Sequence, residues 1–495
     1  MRKSALIALG STILMVIRLF LPNPIGMADN GDGARLMCQV GVAPLQTGRP
    51  NLYFNWAIFH YYASAYHPIS CGHYPGIVVE IYKFNIWLSD LLGMHATLNL
   101  GIDMILYAAV VGILTGFLVQ MFDFSTWAQI AVGAGFFLIA GDSVFAGYPG
   151  SPYAGVTGLV GLLLMSVALI YYLKDGPFAA RAFGMIGFTI GAIALVATMV
   201  ETVLFAVPLV IFLLWMVVRP KYHALARIES IGLRVLAALS AGTIGYAAYH
   251  TYQRDPKTFQ IINPTEAILG NILVGASHPR GDLKSMGLPA SFARYAGTSW
   301  WSPHAIEQLS SFARYESRIS YVTMAKFYLT HPLAILRVAN HGATRFFIAR
   351  PTYMGSFARG VEPAGSLEHR LPFLGNLMSD FQSLGIFALL IVSISALVLA
   401  VHFLRRPIGT QTHAYAVLAL LLNTMVMVGF ATAVFGESIE TTKHLVFTIM
   451  AAMLCGLSLV LMLVSYYKID RKREPRTVLV SDKPRPATGL VEILP

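Results

Sequence analysis

The chain has 495 residues, of which 56% are hydrophobic and only 12% are charged. A soluble protein carries about twice that charged share, so the composition excludes an ordinary soluble globular protein and points to a chain that buries apolar surface in lipid as well as in itself. The net charge of +11 would suggest nucleic acid if the basic residues clustered on a soluble domain, but they are distributed by a different rule.

Ten apolar runs have the length of membrane helices, at 4–22, 98–120, 125–141, 153–173, 183–200, 203–218, 231–249, 383–404, 413–433 and 443–467. The expected fold class is an all-α polytopic membrane protein with about 10 transmembrane helices (range 9–12) and two large extracytoplasmic loops. With the amino terminus inside, the inner segments carry Arg2 and Lys3, Lys174 and Arg181, Arg219, Lys221, Arg227 and Arg234, then Arg405 and Arg406. The short outer turns at 142–152, 201–202 and 434–442 contain no Lys or Arg. This is the positive-inside pattern, and it accounts for much of the basic excess without nucleic acid. Four segments follow: an N-terminal transmembrane module (1–249) with its first outer loop (23–97), a large outer loop (250–382), C-terminal transmembrane helices (383–467), and a basic tail (468–495) whose composition suits disorder.

Individual stretches carry further expectations. The start, "MRK" and an apolar run, resembles a signal peptide, but Arg18 interrupts the run and favours a retained helix. Cys38 and Cys71 share the first outer loop, where either a disulfide or two free thiols fits; Cys455 lies in an apolar run. Only Glu201 and Thr202 split 183–218, which predicts a tight helical hairpin. Residues 51–66, with Tyr53, Phe54, Trp56, Tyr61 and Tyr62, read as an interfacial helix, as does 319–349.

The polar residues concentrate on the outer side. "ADNGDGARL" (28–36), "AGDSVFAGYPGSPY" (140–153), "FYLTHPLAILRVANH" (327–341) and "FGESIETTKHL" (435–445) all fall there. Ionisable groups at a membrane edge are expensive to keep partly dehydrated, which makes them functional candidates that converge on one cavity. Singly, Asp142 and Glu437 suit helix caps equally well; Asp29 and Asp32 together with Arg35 exceed what a cap needs. A carboxylate here could deprotonate a hydroxyl acceptor while basic residues hold a phosphate leaving group. Asp32 and Asp29 are the base candidates. Arg35, Arg280, Lys284, Arg345, Arg350 and Lys443 are the phosphate-binding candidates, each also suited to solvent or lipid headgroups. Trp300 and Trp301 suit sugar stacking or interfacial anchoring. No cofactor is indicated. The histidines lack metal-binding spacing, although paired aspartates could hold a divalent metal together with substrate phosphate. No glycine-rich nucleotide loop is present.

These motifs resemble the GT-C superfamily of membrane glycosyltransferases. More narrowly, "NGDGARL" (30–36) is similar to the "NGD-x-x-R" element of bacterial hexose transferases of the S-layer glycan type. "GDSVFAGYPGSPY" is similar to their second acidic loop, "FYLTHPLAIL" to their "Y-x-x-HP" stretch, and "GESIETTKHL" to a "GDG-x-x-x-x-KH" element. Glu437 stands where the pattern has Asp, and Ala154 and Gly155 stand where it has an acidic residue; either change would alter substrate choice or mark a degenerate enzyme. The resemblance implies transfer of a sugar from a polyprenyl-phosphate donor to a glycan or lipid-linked acceptor on the outer face of the bacterial inner membrane. It implies inversion, with Asp32 as base and Asp29 as the next choice, Arg35 orienting the carboxylate or donor phosphate, and Asp142, Glu437, Lys443 and His444 lining the cavity. The alternatives are a glycan polymerase or ligase, which commonly depends on loop arginines, and a non-enzymatic flippase or transporter of lipid-linked glycans. A transporter should carry mid-membrane charges and repeated halves; the apolar runs are largely free of charge away from their ends, with Asp103 an exception near one end, and no clear inverted repeat is visible.

Overall fold

In hydrocarbon a spanning segment must satisfy its own backbone polar groups, which selects helices from apolar runs. The computed structural model describes residues 2–45, 53–64, 76–95, 97–121, 125–218, 227–406 and 408–470. In chain order its helices are α1 (Arg2–Phe20), α2 (Asp32–Gln39), α3 (Val78–Leu91), α4 (Leu100–Gln120), α5 (Thr126–Gly141), α6 (Gly155–Leu173), α7 (Phe178–Val196), α8 (Ala206–Val218), α9 (Arg227–Gln253), α10 (Phe259–Glu266), α11 (Pro279–Ser285), α12 (Phe312–Tyr315), α13 (Tyr321–Thr330), α14 (Pro332–Ile348), α15 (Phe373–Ser379), α16 (Ile386–Leu404), α17 (Thr410–Gly436), α18 (Thr441–His444) and α19 (Val446–Ser465). Among the described residues nine helical segments are long and apolar enough to cross a membrane, and α5 is a shorter apolar helix. The protein is therefore an all-α polytopic membrane protein, and each expected apolar run lies on one of these ten helices.

The helices sort their ends as the charge alternation requires. At one end Lys3 Nζ meets Thr126 Oγ1 (3.4 Å), Lys174 Nζ donates to Met121 O (2.9 Å), and Arg406 Nη1 donates to Tyr466 Oη (3.1 Å). The acidic segments gather at the other. Arg219, Lys221, Cys71 and the tail from 471 lie outside the described residues. Cys38 is disulfide-bonded, and Cys455 is a buried free thiol.

Glycines permit close helix packing. A Cβ on Gly161 of α6 would lie 2.5 Å from the carbonyl of Gly191 on α7, so side chains there would push the backbones apart. The expected tight hairpin of 183–218 is corrected. A 3-10 turn (Val200–Phe205) links α7 to α8, but α7 packs chiefly on α6 and α9, and α8 on α9. The small residues of α7 fit α6 better than the bulky face of α8.

The reading of 51–66 as a helix is also corrected. Its described residues hold a turn and a strand, and three short antiparallel strands form a sheet in the order β1 (Val42–Ala43), β2 (His60–Ala63), β3 (Thr97–Asn99). Period-two alternation decides this: Tyr61 turns inward with Val42, Leu98, Leu36 and Tyr82, while His60 is exposed. The stretch 319–349 is helical but broken in two, because Pro332 has no N–H and begins α14.

The segment between α9 and α16 has an apolar cluster of its own, built from Ile268, Leu283, Phe292, Phe312 and Phe327 among others. It is fastened to α1 by Arg18. The Arg18 guanidinium lies 2.8 Å from Glu368, with side-chain exposures of 9% and 1%, and donates to Gly141 O (3.0 Å). Removing one partner strands a buried charge. Glu368→Ala should therefore lower unfolding free energy by about 3–5 kcal/mol, and Arg18→Leu with Glu368→Leu should lower it by less. Denaturant unfolding of the purified protein in micelles measures both.

Candidate functional site

The "NGDG" turn places Asp32 at the start of α2. Gly31 has φ +109°, a left-handed conformation that glycine adopts at little cost. A Cβ on Gly33 would lie 2.5 Å from Pro152 Cγ, so only glycine lets the turn settle on the buried 142–154 segment. Asp29 holds the turn from inside. Its Oδ1 accepts from Gly31 N (2.8 Å) and Gly33 N (2.9 Å). Burial pushes its carboxyl up to about 6, against the pull of those two amides.

Asp32 points the other way and keeps 29% of its side chain exposed. Its Oδ2 lies 2.6 Å from Lys443 Nζ, and Arg35 Nη1 stands 3.7 Å from its Oδ1. Burial works to raise this carboxyl, but the Lys443 ammonium, with Arg35 and His444, outweighs it and holds the group well below the usual carboxylate range. Lys443 also meets Glu440 Oε2 (2.7 Å) and sits 4.7 Å over the Tyr153 ring. Burial opposes the ammonium, yet Asp32 and Glu440 raise it well above the ordinary lysine value. Glu440 moves upward, because its burial exceeds the help from Lys443.

The cluster continues through α18. His444 Nδ1 approaches Glu437 Oε1 at 3.1 Å, and its Nε2 lies 3.9 Å from Glu201 and from Glu440. Burial works to lower this imidazole, but the carboxylates outweigh it and push it up to about 10. The Glu437 carboxyl is held down, against its burial, by His444. Tyr153 locks the arrangement from below: its hydroxyl donates to Ala28 O (2.9 Å) and accepts from Asn30 N (2.7 Å). Asn30 Nδ2 donates to Glu440.

The large loop closes over this cluster. The Arg35 guanidinium lies 4.6 Å from the centre of the Phe259 ring on α10. Arg345 on α14 donates to Ser438 O (2.5 Å) and so holds the 437–441 turn. Glu266, at the end of α10, accepts from Trp300 N (3.1 Å), and its carboxyl is pushed up to about 8 by burial and by Glu437 and Glu440.

Asp32, Asp29, Arg35, Glu437, Lys443 and His444 thus come together, and Arg345 braces them. Asp142 has a separate job: its carboxylate accepts from Val144 N (2.9 Å) and Leu374 N (2.7 Å) and joins two loops. Burial raises it. Arg350 donates to Ser143 O and Glu368 O, beside Arg18 rather than Lys443. Arg280 and Lys284 are exposed on α11. The "FYLTHP" stretch forms the α13–α14 junction, with His331 stacked on Phe327 at 4.3 Å. Sequence reasoning missed Glu440, Glu266 and Tyr153. The spacing Glu440–Lys443 was the available signal, since residues three apart face each other on a helical turn. Among the described residues no group of three His, Cys, Asp or Glu side chains could hold a metal ion.

An apolar cavity of about 700 Å³ lies on the other face of the sheet, between the ends of α1 and α4. Phe20, Ile105 and Met104 line it, with His60, Tyr62 and Arg359 at its polar side.

The sequence matches, over residues 1–479, the family described as YfdI N-terminal transmembrane domain. The chain belongs to this family. Membership and the apolar helices together make it a multi-pass membrane protein. No curated protein matches the chain. Within the YfdI-type domain the carboxylate–lysine cluster joins its two halves, since Asp32 and Lys443 lie 411 positions apart.

Two outcomes follow from this geometry. Gly33→Ala should cost about 1–3 kcal/mol through overpacking on Pro152, read as a lowered thermal midpoint, whereas Gly10→Ala, where a Cβ meets nothing within 4 Å, should not. The second concerns pH. The folded pKa of His444 is raised, so its stabilisation is fully present below the ordinary histidine value of about 6.5 and is lost as pH rises through about 10. The thermal midpoint of the wild type should fall across that window, and that of His444→Gln should fall less.

Proposed function

We propose that the protein is a GT-C type glycosyltransferase acting on the extracytoplasmic face of the bacterial inner membrane, with Asp32 as general base. The single observation that carries this reading is the Asp32–Lys443 pair: a partly exposed carboxylate kept ionised beside a buried ammonium, with Arg35 adjacent. Such a pair suits transfer from a sugar phosphate. The Asp32 carboxylate takes the proton of an acceptor hydroxyl, the hydroxyl oxygen attacks the anomeric carbon from the face opposite the phosphate, and the bond from that carbon to the phosphate oxygen breaks. The leaving polyprenyl phosphate departs as an anion, and Lys443 and Arg35 supply positive charge for it.

An ion-paired carboxylate is a weak base. Arrival of the donor phosphate draws Lys443 away from Asp32, which raises the basicity of the carboxylate when substrate is bound. The apolar cavity beside α1 and α4 supports a substrate with a hydrocarbon chain, because its lining suits such a chain. Acidic and basic groups at one end of the bundle, rather than along its spans, favour surface chemistry over transport.

The test is sugar transfer in proteoliposomes from a radiolabelled polyprenyl-phosphate hexose to envelope glycan. Asp32→Asn should reduce the rate by roughly 10²–10⁴-fold with donor binding intact. Full activity in that variant sinks the base assignment. Unchanged transfer with loss of chain elongation on Arg280→Ala would instead favour the polymerase alternative.

A further inference from the structure

A cavity of about 670 Å³ opens within the 250–382 segment, away from the apolar one. Its chemistry differs from that of either site above. Trp300, Lys257, Glu307, Gln308, Ser310 and Glu316 supply most of its character. One ammonium faces two carboxylates, so a phosphate, a nucleotide or an anionic headgroup gains nothing there. Its wall also carries Ile261, Leu309, Phe312 and Ala313, but a larger part of it is polar than in the cavity beside α1 and α4. What remains is an indole among hydrogen-bonding groups of both kinds. A pyranose ring matches this set, with C–H faces for the indole and hydroxyls that both donate and accept.

Two further observations point to a ligand and to its position. Glu307 Oε2 is buried and has no hydrogen-bond partner among the described residues. The polar groups that a ligand in the cavity reaches are the exposed side chains of Gln308 and Ser310 and the accessible part of the half-buried Glu307. The cavity also shares a wall with the carboxylate–lysine cluster. Thr258 and Ile261 of α10 line it, while Phe259 of the same turn lies under the Arg35 guanidinium. The backbone N–H of Trp300 donates to Glu266 Oε1, and Glu266 O accepts from Ser438 Oγ (2.8 Å), in the turn that leads to Glu440 and Lys443.

We infer that this cavity binds neutral sugar units of the acceptor glycan and sets which glycan is extended. Its identity as the acceptor subsite rests on the transferase reading; its identity as a carbohydrate site does not. The cavity and the cluster flank the same turn of α10, so sugar units seated against Trp300 are gripped at a distance from the chemistry at Asp32. Gripping remote units in this way binds ground and transition states alike and so lowers KM for the acceptor.

The experiment uses the full chain in nanodiscs. The probe is a set of fluorescein-labelled neutral oligosaccharides cut from the source organism's envelope polysaccharide, with binding read by anisotropy and transfer read separately. Trp300→Ala should weaken binding by about tenfold and Glu307→Gln by about fivefold, each raising KM for the acceptor by the same factor while KM for the donor stays unchanged. Asp32→Asn should bind the probe as the wild type does while its transfer falls by roughly 10²–10⁴-fold. A wild type that does not bind, or variants that bind as tightly as it does, overturns the proposal. If Trp300→Ala fails to fold, Glu307→Gln and Gln308→Ala decide the matter by the same criterion. Binding that depends on Trp300 without any transfer upholds the cavity and removes the transferase reading. Transfer that depends on Asp32 with acceptor KM unchanged in the variants does the reverse.

Discussion

A buried ammonium organises this protein. Lys443 Nζ lies within 2.7 Å of two carboxylates, Asp32 and Glu440, with only 5% of its side chain exposed. A charge taken out of water that far must be paired and hydrogen-bonded, or the fold is heavily destabilised. The requirement reaches across the whole chain. It brings the turn after α1 to the turn before α19, and every segment that passes between them has to accommodate the meeting.

The surroundings are arranged to hold that geometry still. The buried 142–154 segment supplies Tyr153, whose ring lies under the ammonium and whose hydroxyl fixes residues 28–30. Arg18 and Glu368 clamp α1 to the segment between α9 and α16. Arg345 grips the 437–441 turn from α14. Each of these is a charge or a hydroxyl engaged by a partner, although Arg18 Nη1 has none among the described residues, and pairing is how polar groups are kept near a membrane without loss of stability. The same low-dielectric setting separates the roles of two neighbouring carboxyls. Asp29 is enclosed and accepts two backbone amides; Asp32 faces outward and answers to cations.

The spans were legible because lipid-facing helices are apolar all round, and an uninterrupted run of about 20 such residues is the length that crosses a bilayer. Alternating basic loops were legible for a similar reason, since the charges lie where the chain leaves the bilayer. Legibility ended where one residue set fits two environments. The aromatic run at 53–62 suits an interfacial belt and a strand equally; pairing with 42–43 and 97–99 selected the strand. Asp142 looks like a cavity carboxylate in sequence, but two backbone amides from different loops engage it. Glu440 looks like any solvated glutamate until Lys443 is buried beside it.

The sequence alone determined the class of the protein, the approximate bounds of its membrane helices, the sorting of its loops to two ends, and the candidacy of Asp29, Asp32, Arg35, Glu437, Lys443 and His444. These follow from composition and local spacing, which do not depend on partners far along the chain. Only the tertiary structure decided which carboxylate meets which cation, that Asp142 and Arg350 serve a separate clamp, and that Glu440, Tyr153 and Glu266 belong to the site. Those outcomes are set by burial and by contacts between residues hundreds of positions apart, and burial is what converts an ordinary charged side chain into one whose partner must be specified.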